Sequence, residues 1–228
     1  TDIRYRVGMT NDVLTLMKSH RSIREFTAEP LDEQHLRAAV EAAQMSSTSN
    51  NVQAYSLLRV TDADTRGRLV ELPGNQDKVA PAAAFFTVLG YTRRHRLILG
   101  ERSRAYDARL EAFLLATIDA SLFAQNLALA FESLGYGICY IGGLRNNLPA
   151  VDALLELPEG VYPLYGLCVG RPGQNPSVRP RLPFEAVCFD DRYPDDATMK
   201  ERINAYENTM RAYYTERTGQ ARSWTASM

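Results

Sequence analysis

The sequence predicts an α+β fold, with a four- to five-stranded sheet surrounded by helices in a single domain over residues 1–228. Three observations predict it. Apolar, β-rich runs at 55–60, 83–89, 138–141 and 161–169 alternate with stretches of helical periodicity. One long helical stretch, 107–134, is apolar on more than one face. The composition, 45% hydrophobic and 23% charged over 228 residues, suits one well-packed globular domain.

Thr10 is a plausible N-cap for a short helix over 10–19, with Val13, Leu14, Leu16 and Met17 as its apolar stripe. It stops at the basic cluster beginning at His20. A clearer helix follows over 32–45, where Leu36, Ala39, Val40 and Ala43 recur at three- to four-residue spacing. Residues 46–53 are small and polar and read as a loop. Between the strands at 55–60 and 83–89, Pro73-Gly74-Asn75 is turn chemistry, and 91–101 reads as a loop or short helix. The all-round apolar helix 107–134 belongs either at the centre of its domain or in a subunit interface; Gly135 and Gly137 end it. The strand 138–141 runs straight into Gly142-Gly143. A helix over 150–155, a strand over 161–169, a proline-rich loop over 172–183 and a helix over 197–214 complete the chain.

Several function classes are disfavoured. The net charge of −1 offers no general field for nucleic acid or anionic membrane, so an anion site must be built from a few converging residues. The longest apolar candidate, 112–134, is interrupted by Asp119, Gln125, Asn126 and Glu132, which points to a soluble protein. The start, 1–8, is charged and polar rather than signal-like. Cys139, Cys168 and Cys188 are odd in number and form no metal-ligand pattern, which fits a reducing, cytoplasmic setting and no metal site. Glycine-rich dinucleotide fingerprints, phosphate loops and nucleophile elbows are absent from the sequence.

The residues that could carry chemistry fall into three groups. Arg21 and Arg24 flank Ser22 beside His20, and Arg179 and Arg181 bracket Pro180 far downstream. Arginine's planar fork suits bidentate phosphate recognition, so such pairs form either a phosphate clamp or simply a solvated face. Gly142-Gly143 after a strand lets a backbone N–H approach a flat ligand, or makes a plain turn. Asn50, Asn51 and Gln53 could read a heterocycle edge, or merely keep a loop polar.

Taken together the pieces look familiar. His20-Arg21-Ser22-Ile23-Arg24, the 46–53 loop, Tyr140-Ile141-Gly142-Gly143-Leu144-Arg145-Asn146 and Arg179-Pro180-Arg181-Leu182-Pro183 occur in one characteristic order. The chain resembles the FMN-dependent nitroreductase superfamily over about 14–224, and most closely its oxygen-insensitive, NADPH-preferring nitroreductase and flavin reductase group. The resemblance implies a mostly antiparallel sheet and an intertwined homodimer with FMN at the subunit interface, the 197–228 part contributing to dimer and nucleotide binding. It implies that His20, Arg21, Ser22, Arg24, Arg179 and Arg181 hold the FMN phosphate and that Gln76 contacts the flavin. Tyr140, Ile141, Gly142 and Gly143 would lie along the flavin ring, with the Gly142 N–H as candidate donor to flavin N5. Ser47, Ser49 and Gln53 would reach in from the other subunit. Asn50, Asn51, Arg145 and Arg222 would face the substrate or NADPH.

The implied activity is ping-pong hydride transfer from NADPH or NADH through flavin N5 to a nitroaromatic, quinone, free flavin or azo compound. It needs no protein acid–base pair, small-molecule acceptors being the partners rather than nucleic acid or membrane. A non-catalytic FMN carrier and a flavin-free phosphate-binding module remain open as alternatives.

Overall fold

The computed structural model describes residues 12–72, 81–101 and 109–227. The chain forms two compact units, Thr1–Asn175 and Pro176–Met228.

In the first unit the helices are α1 (Asp12–Lys18), α2 (Glu33–Ala43), α3 (Ala63–Glu71), α4 (Arg93–Glu101), α5 (Leu110–Ser133) and α6 (Leu148–Leu154). The strands β1 (Tyr55–Val60), β2 (Ala84–Tyr91), β3 (Gly137–Ile141) and β4 (Val161–Gly170) form one sheet in the order β1-β2-β4-β3. Every pairing between them is antiparallel. The expected α+β class and antiparallel sheet are therefore observed, with four strands among the described residues.

Alternation along the strands divides the core into two layers. On one face Phe86, Val88, Ile138, Leu167 and Val169 pack with Phe123, Leu127 and Phe131 of α5 and Ala39 and Ala43 of α2. On the other, Val60, Phe85, Cys139, Ile141 and Cys168 pack with Leu69, Leu144 and Val151. Cys139 and Cys168 are register partners across β3 and β4. The register of β2 on β4 shifts between Val88 and Leu89, whose partners are Tyr165 and Pro163. Proline has no N–H to give the ladder, and β3 extends only as far as Gly166, so the irregularity falls where β4 has a single neighbour.

Helix α5 is two-faced. Ala116, Ala120, Ala124 and Ala128 recur every fourth residue and are fully buried, a ridge of small side chains that suits close packing, Ala116 lying against Gly90 of β2. Leu110, Phe113, Leu114, Ile118 and Leu122 occupy another face and are exposed, Leu110 at 69%. An all-round apolar helix is thus only half covered within one chain. By length and composition α5 is long and apolar enough to cross a membrane, contrary to the sequence expectation. Its inner face is packed on the sheet, and at its centre Asp119 is buried and hydrogen-bonded.

Two further elements differ from expectation. Helix α3 was not expected: it is short, polar and carries Gly67, but Asp62 caps it by accepting from the Thr65 N–H at 2.7 Å. The 91–101 stretch resolves into β2's last residue and α4.

The second unit is built on α7 (Asp196–Thr218), longer than the expected 197–214. Asp195 caps its start through the Thr198 N–H, and Gly219, at φ 70°, ends it in the left-handed conformation. Tyr206, Met210 and Tyr213 pack with Leu182, Tyr214 and Trp224.

Candidate functional site

The basic segment is an extended strap laid against the sheet edge. Helix α1 ends in a turn in which the Ser19 hydroxyl donates to Leu16 O at 2.8 Å. The chain then runs beside β3, an outer strand, and the Ile23 N–H donates to Ile138 O at 2.9 Å. Further along, the Thr27 N–H donates to Arg171 O, the Gly173 N–H to Glu25 O, and Phe26 bridges to Pro172. Ile23 is buried, and the room for it comes from Gly137, where a Cβ would lie 2.5 Å from Ile23 Cγ1. In an extended strap, burying Ile23 turns Ser22 and Arg24 to the opposite side. His20 is fixed from α5, its Nδ1 lying 2.6 Å from Glu132 Oε1. Arg21 donates to Asn175 Oδ1 at 2.9 Å, while Arg24 is exposed.

Gly142 and Gly143 stand at the other end of β3. They open a 3-10 turn, Gly142–Asn147, rather than an irregular loop. That turn brings Arg145 back over Gly142: its guanidinium donates to Leu164 O at 2.8 Å, and a Cβ on Gly142 would lie 3.3 Å from it. The side chains of Tyr140 and Ile141 point to opposite core layers. The Tyr140 hydroxyl donates to Ala124 O at 2.8 Å, and burial pushes its phenol well above the usual range. Ile141 is 1% exposed. Of these two residues, only the main chain of Tyr140 is left open at the outer edge, since that of Ile141 faces Gly166 of β4. Because the Ile138 carbonyl points outward to the strap, ladder alternation turns the main-chain groups of Tyr140 outward too.

The third expected piece is a strained turn. Asn50, Asn51 and Gln53 have φ of 47°, 56° and 49°, in the left-handed region that ordinary side chains disfavour. Ser47, Ser49, Asn50 and Asn51 are exposed on it. The Thr48 hydroxyl donates to Asp119 Oδ2 at 2.5 Å and accepts from the Gln53 N–H at 2.9 Å, while the Ala54 N–H donates to the same carboxylate oxygen at 3.0 Å. From α4, His95 Nε2 lies 3.0 Å from Val52 O, and Arg94 donates to Gln53 O at 3.0 Å. Ser47, Thr48 and Ser49 share with Leu114, Ile118 and Leu122 a hollow of about 440 Å³.

Arg179 and Arg181 lie in the second unit, both exposed. Arg181 donates to Arg179 O at 2.8 Å, and the Tyr206 hydroxyl holds the loop through Pro180 O at 3.0 Å. Arg222 is exposed in a segment anchored by Trp224, which stands edge-on to Tyr206. Glu207 accepts the Trp224 and Thr225 N–H groups, and these bonds hold its carboxyl below the usual range. Gln76 lies outside the described residues. Sequence reading missed Asp119 and Thr48, whose pairing spans 71 positions and has no local signature. The one available hint was an acidic residue in the middle of an apolar helix.

A family description named Nitroreductase family matches residues 17–171, and its C-terminal domain matches 179–228. The chain belongs to the nitroreductase family. It is 40% identical to the FMN reductase (NADPH) of Bacillus subtilis over 225 residues, covering 96% of this chain and 89% of that protein. It is also 40% identical to the oxygen-insensitive NADPH nitroreductase of Salmonella typhimurium over 213 residues, 92% and 85% of the two chains. Among solved structures, NADPH:FMN oxidoreductase from Vibrio harveyi complexed with NAD+ matches at a TM-score of 0.87 and 37% identity, covering 95% of this chain and 89% of that one. NfrA1 nitroreductase from B. subtilis matches at a TM-score of 0.91 and 37% identity, covering 95% and 90%. This nitroreductase-family chain lays its basic strap beside the outer strand that leads into the glycine pair, and the strap is seated by the packing of Ile23 on Gly137.

Gly137→Ala should lower stability by about 1–3 kcal/mol, the usual cost of overpacking, read as a lower urea midpoint. Adding Ile23→Ala should recover part of the loss. An unchanged midpoint in the single variant would mean that Ile23 does not pack on Gly137.

Proposed function

We propose that the protein is an FMN-dependent NAD(P)H oxidoreductase that passes two electrons to nitroaromatics, quinones or free flavin. The observation that carries this reading is the arrangement along the edge of β3. A cationic strap lies at one end and a glycine pair under Arg145 at the other, separated by five residues at ~3.3 Å each, or roughly 17 Å. Such an edge suits an elongated ligand with an anion at one end and a flat ring at the other. The donor set fits FMN: a hydroxyl and guanidinium groups suit a phosphate, and main-chain groups without a Cβ suit a ring edge. The relatives' names, FMN reductase and NADPH nitroreductase, support the same assignment.

Bound there, FMN supplies hydride-transfer chemistry that no side chain of the protein offers. The protein's part is to hold and orient. His20, Arg21, Ser22 and Arg24 serve the phosphate, and on the resemblance Arg179 and Arg181 serve it too. The Gly142 N–H and its neighbours at Tyr140, Ile141 and Gly143 serve the ring edge. Arg145, braced over Gly142, adds positive charge beside that edge, where it favours negative charge on a bound ligand. On the resemblance, Ser47, Ser49 and Gln53 approach the ring from a second copy, Gln76 would contact it, and Asn50, Asn51 and Arg222 face the acceptor or NADPH.

The exposed α5 face belongs to a homodimer in this reading, and the protein to the cytoplasm. At ~25 cal/mol per Å² of apolar surface, covering Leu110, Leu114, Ile118 and Leu122 strongly favours association. A charge at the centre of that seam should oppose it. Ile118→Glu is expected to shift the protein toward monomer in analytical ultracentrifugation, and an unchanged dimer would move the interface elsewhere.

Two measurements test the activity and its site. FMN-loaded protein should oxidise NADPH or NADH in the steady state when a nitroaromatic or free FMN is supplied; absence of turnover with every acceptor would reduce it to a flavin carrier. Arg24→Ala should weaken FMN binding about 10- to 100-fold, from a charge-assisted bond of about 1.5–3 kcal/mol, and leave riboflavin binding unchanged. Equal losses for both ligands would take Arg24 away from the phosphate.

A further inference from the structure

A carboxylate is an acceptor-only group, and burying one is unfavourable unless its oxygens are hydrogen-bonded. Asp119 is 2% exposed in the middle of the apolar helix α5. Its Oδ2 receives two bonds, and both come from the 48–54 turn, from the Thr48 hydroxyl and the Ala54 N–H. That choice of partners fixes a direction. Since Oδ2 cannot donate, the Thr48 proton must point at it, which leaves a Thr48 lone pair for the Gln53 N–H at 2.9 Å. Gln53 is one of three residues in this turn forced into the left-handed region. From a second helix, Arg94 and His95 of α4 hold the Gln53 and Val52 carbonyls. The turn is therefore pinned through its main chain by two helices, while Ser49, Asn50 and Asn51 stay exposed at its tip. Strain of this kind persists only where surrounding bonds over-determine it, and a fixed main chain is what gives exposed polar side chains a defined direction.

We propose that Asp119 and Thr48 form a positioning relay that sets the strained 48–54 turn, and with it the polar groups that this turn presents to the flavin and acceptor. The functional half rests on the reading that the turn serves the flavin site; the relay itself does not. Neither residue touches the reacting atoms. Asp119 acts through Thr48, and Thr48 acts through the Gln53 main chain. The relay also ties the turn to the helix whose outer face carries Leu114, Ile118 and Leu122.

Thr48→Val removes the hydroxyl at nearly constant volume and leaves Asp119 the Ala54 N–H, while Thr48→Ser keeps the relay and controls for the substitution itself. Hydrogen exchange of the Gln53 amide and stopped-flow reduction of bound FMN by NADPH are measured on the full FMN-loaded chain. Thr48→Val should exchange at Gln53 at least about tenfold faster and reduce its flavin about tenfold more slowly, the size expected for losing a bond to a charged group. Thr48→Ser should stay close to the parent protein in both. Unchanged exchange in Thr48→Val overturns the relay. Faster exchange with an unchanged reduction rate overturns its role in positioning. If the parent protein itself fails to oxidise NADPH, the oxidoreductase reading falls, while the exchange result still decides whether the relay exists.

Discussion

The close approach of α5 to the sheet is the constraint on which the rest of the first unit depends. The buried ridge Ala116–Ala120–Ala124–Ala128 suits such close packing, and at Ala116 it meets Gly90 of β2, where a Cβ would lie 3.5 Å from the alanine methyl. Once the helix is seated, its polar groups reach the functional elements one after another. Asp119 holds the strained turn, Ser121 meets the Tyr165 hydroxyl at 3.1 Å, Ala124 O takes the Tyr140 hydroxyl, and Glu132 meets His20. Four contacts along one rigid helix thus set the turn, two strands and the basic strap. Sites supported by rigid elements hold their geometry better than sites carried by loops alone.

The same helix leaves an apolar face uncovered. Its inner side is committed to the sheet, and its outer side carries large side chains that a lone chain exposes. The hollow shared by that face and the Ser47–Thr48–Ser49 segment puts the uncovered surface next to the strained turn. In the proposed homodimer, assembly and completion of the site are therefore linked events. The extended backbone of the strap serves a related end at the other side of the unit: with Ile23 buried against Gly137, Ser22 and Arg24 face away from the core together.

Much of this could be read from the residues in order. Four strands, the long apolar helix and the C-terminal helix were legible because burial imposes a period on the sequence. The order of the basic cluster, amide loop, glycine pair and second arginine pair was enough to recognise the family. Helix α3 was not legible, being short, polar and interrupted by Gly67; only its Asp62 cap marked it. Nor did the individual site residues reveal how they are used. Tyr140 and Ile141 were expected along the flavin, yet their side chains are committed to opposite core layers, and of the two only the Tyr140 main chain faces the outer edge of β3.

By itself, then, the sequence determined the periodic elements, the α+β class and the order of the motifs, because those follow from local preference and from which faces must be buried. The tertiary structure alone decided that a carboxylate inside an apolar helix answers a threonine 71 residues earlier, that Glu132 meets His20 across 112 positions, and that Arg145 folds back over Gly142. Such pairings depend on which elements the packing of α5 and the sheet brings together. A hydrogen bond between distant positions leaves no period in a single chain by which it could be foreseen.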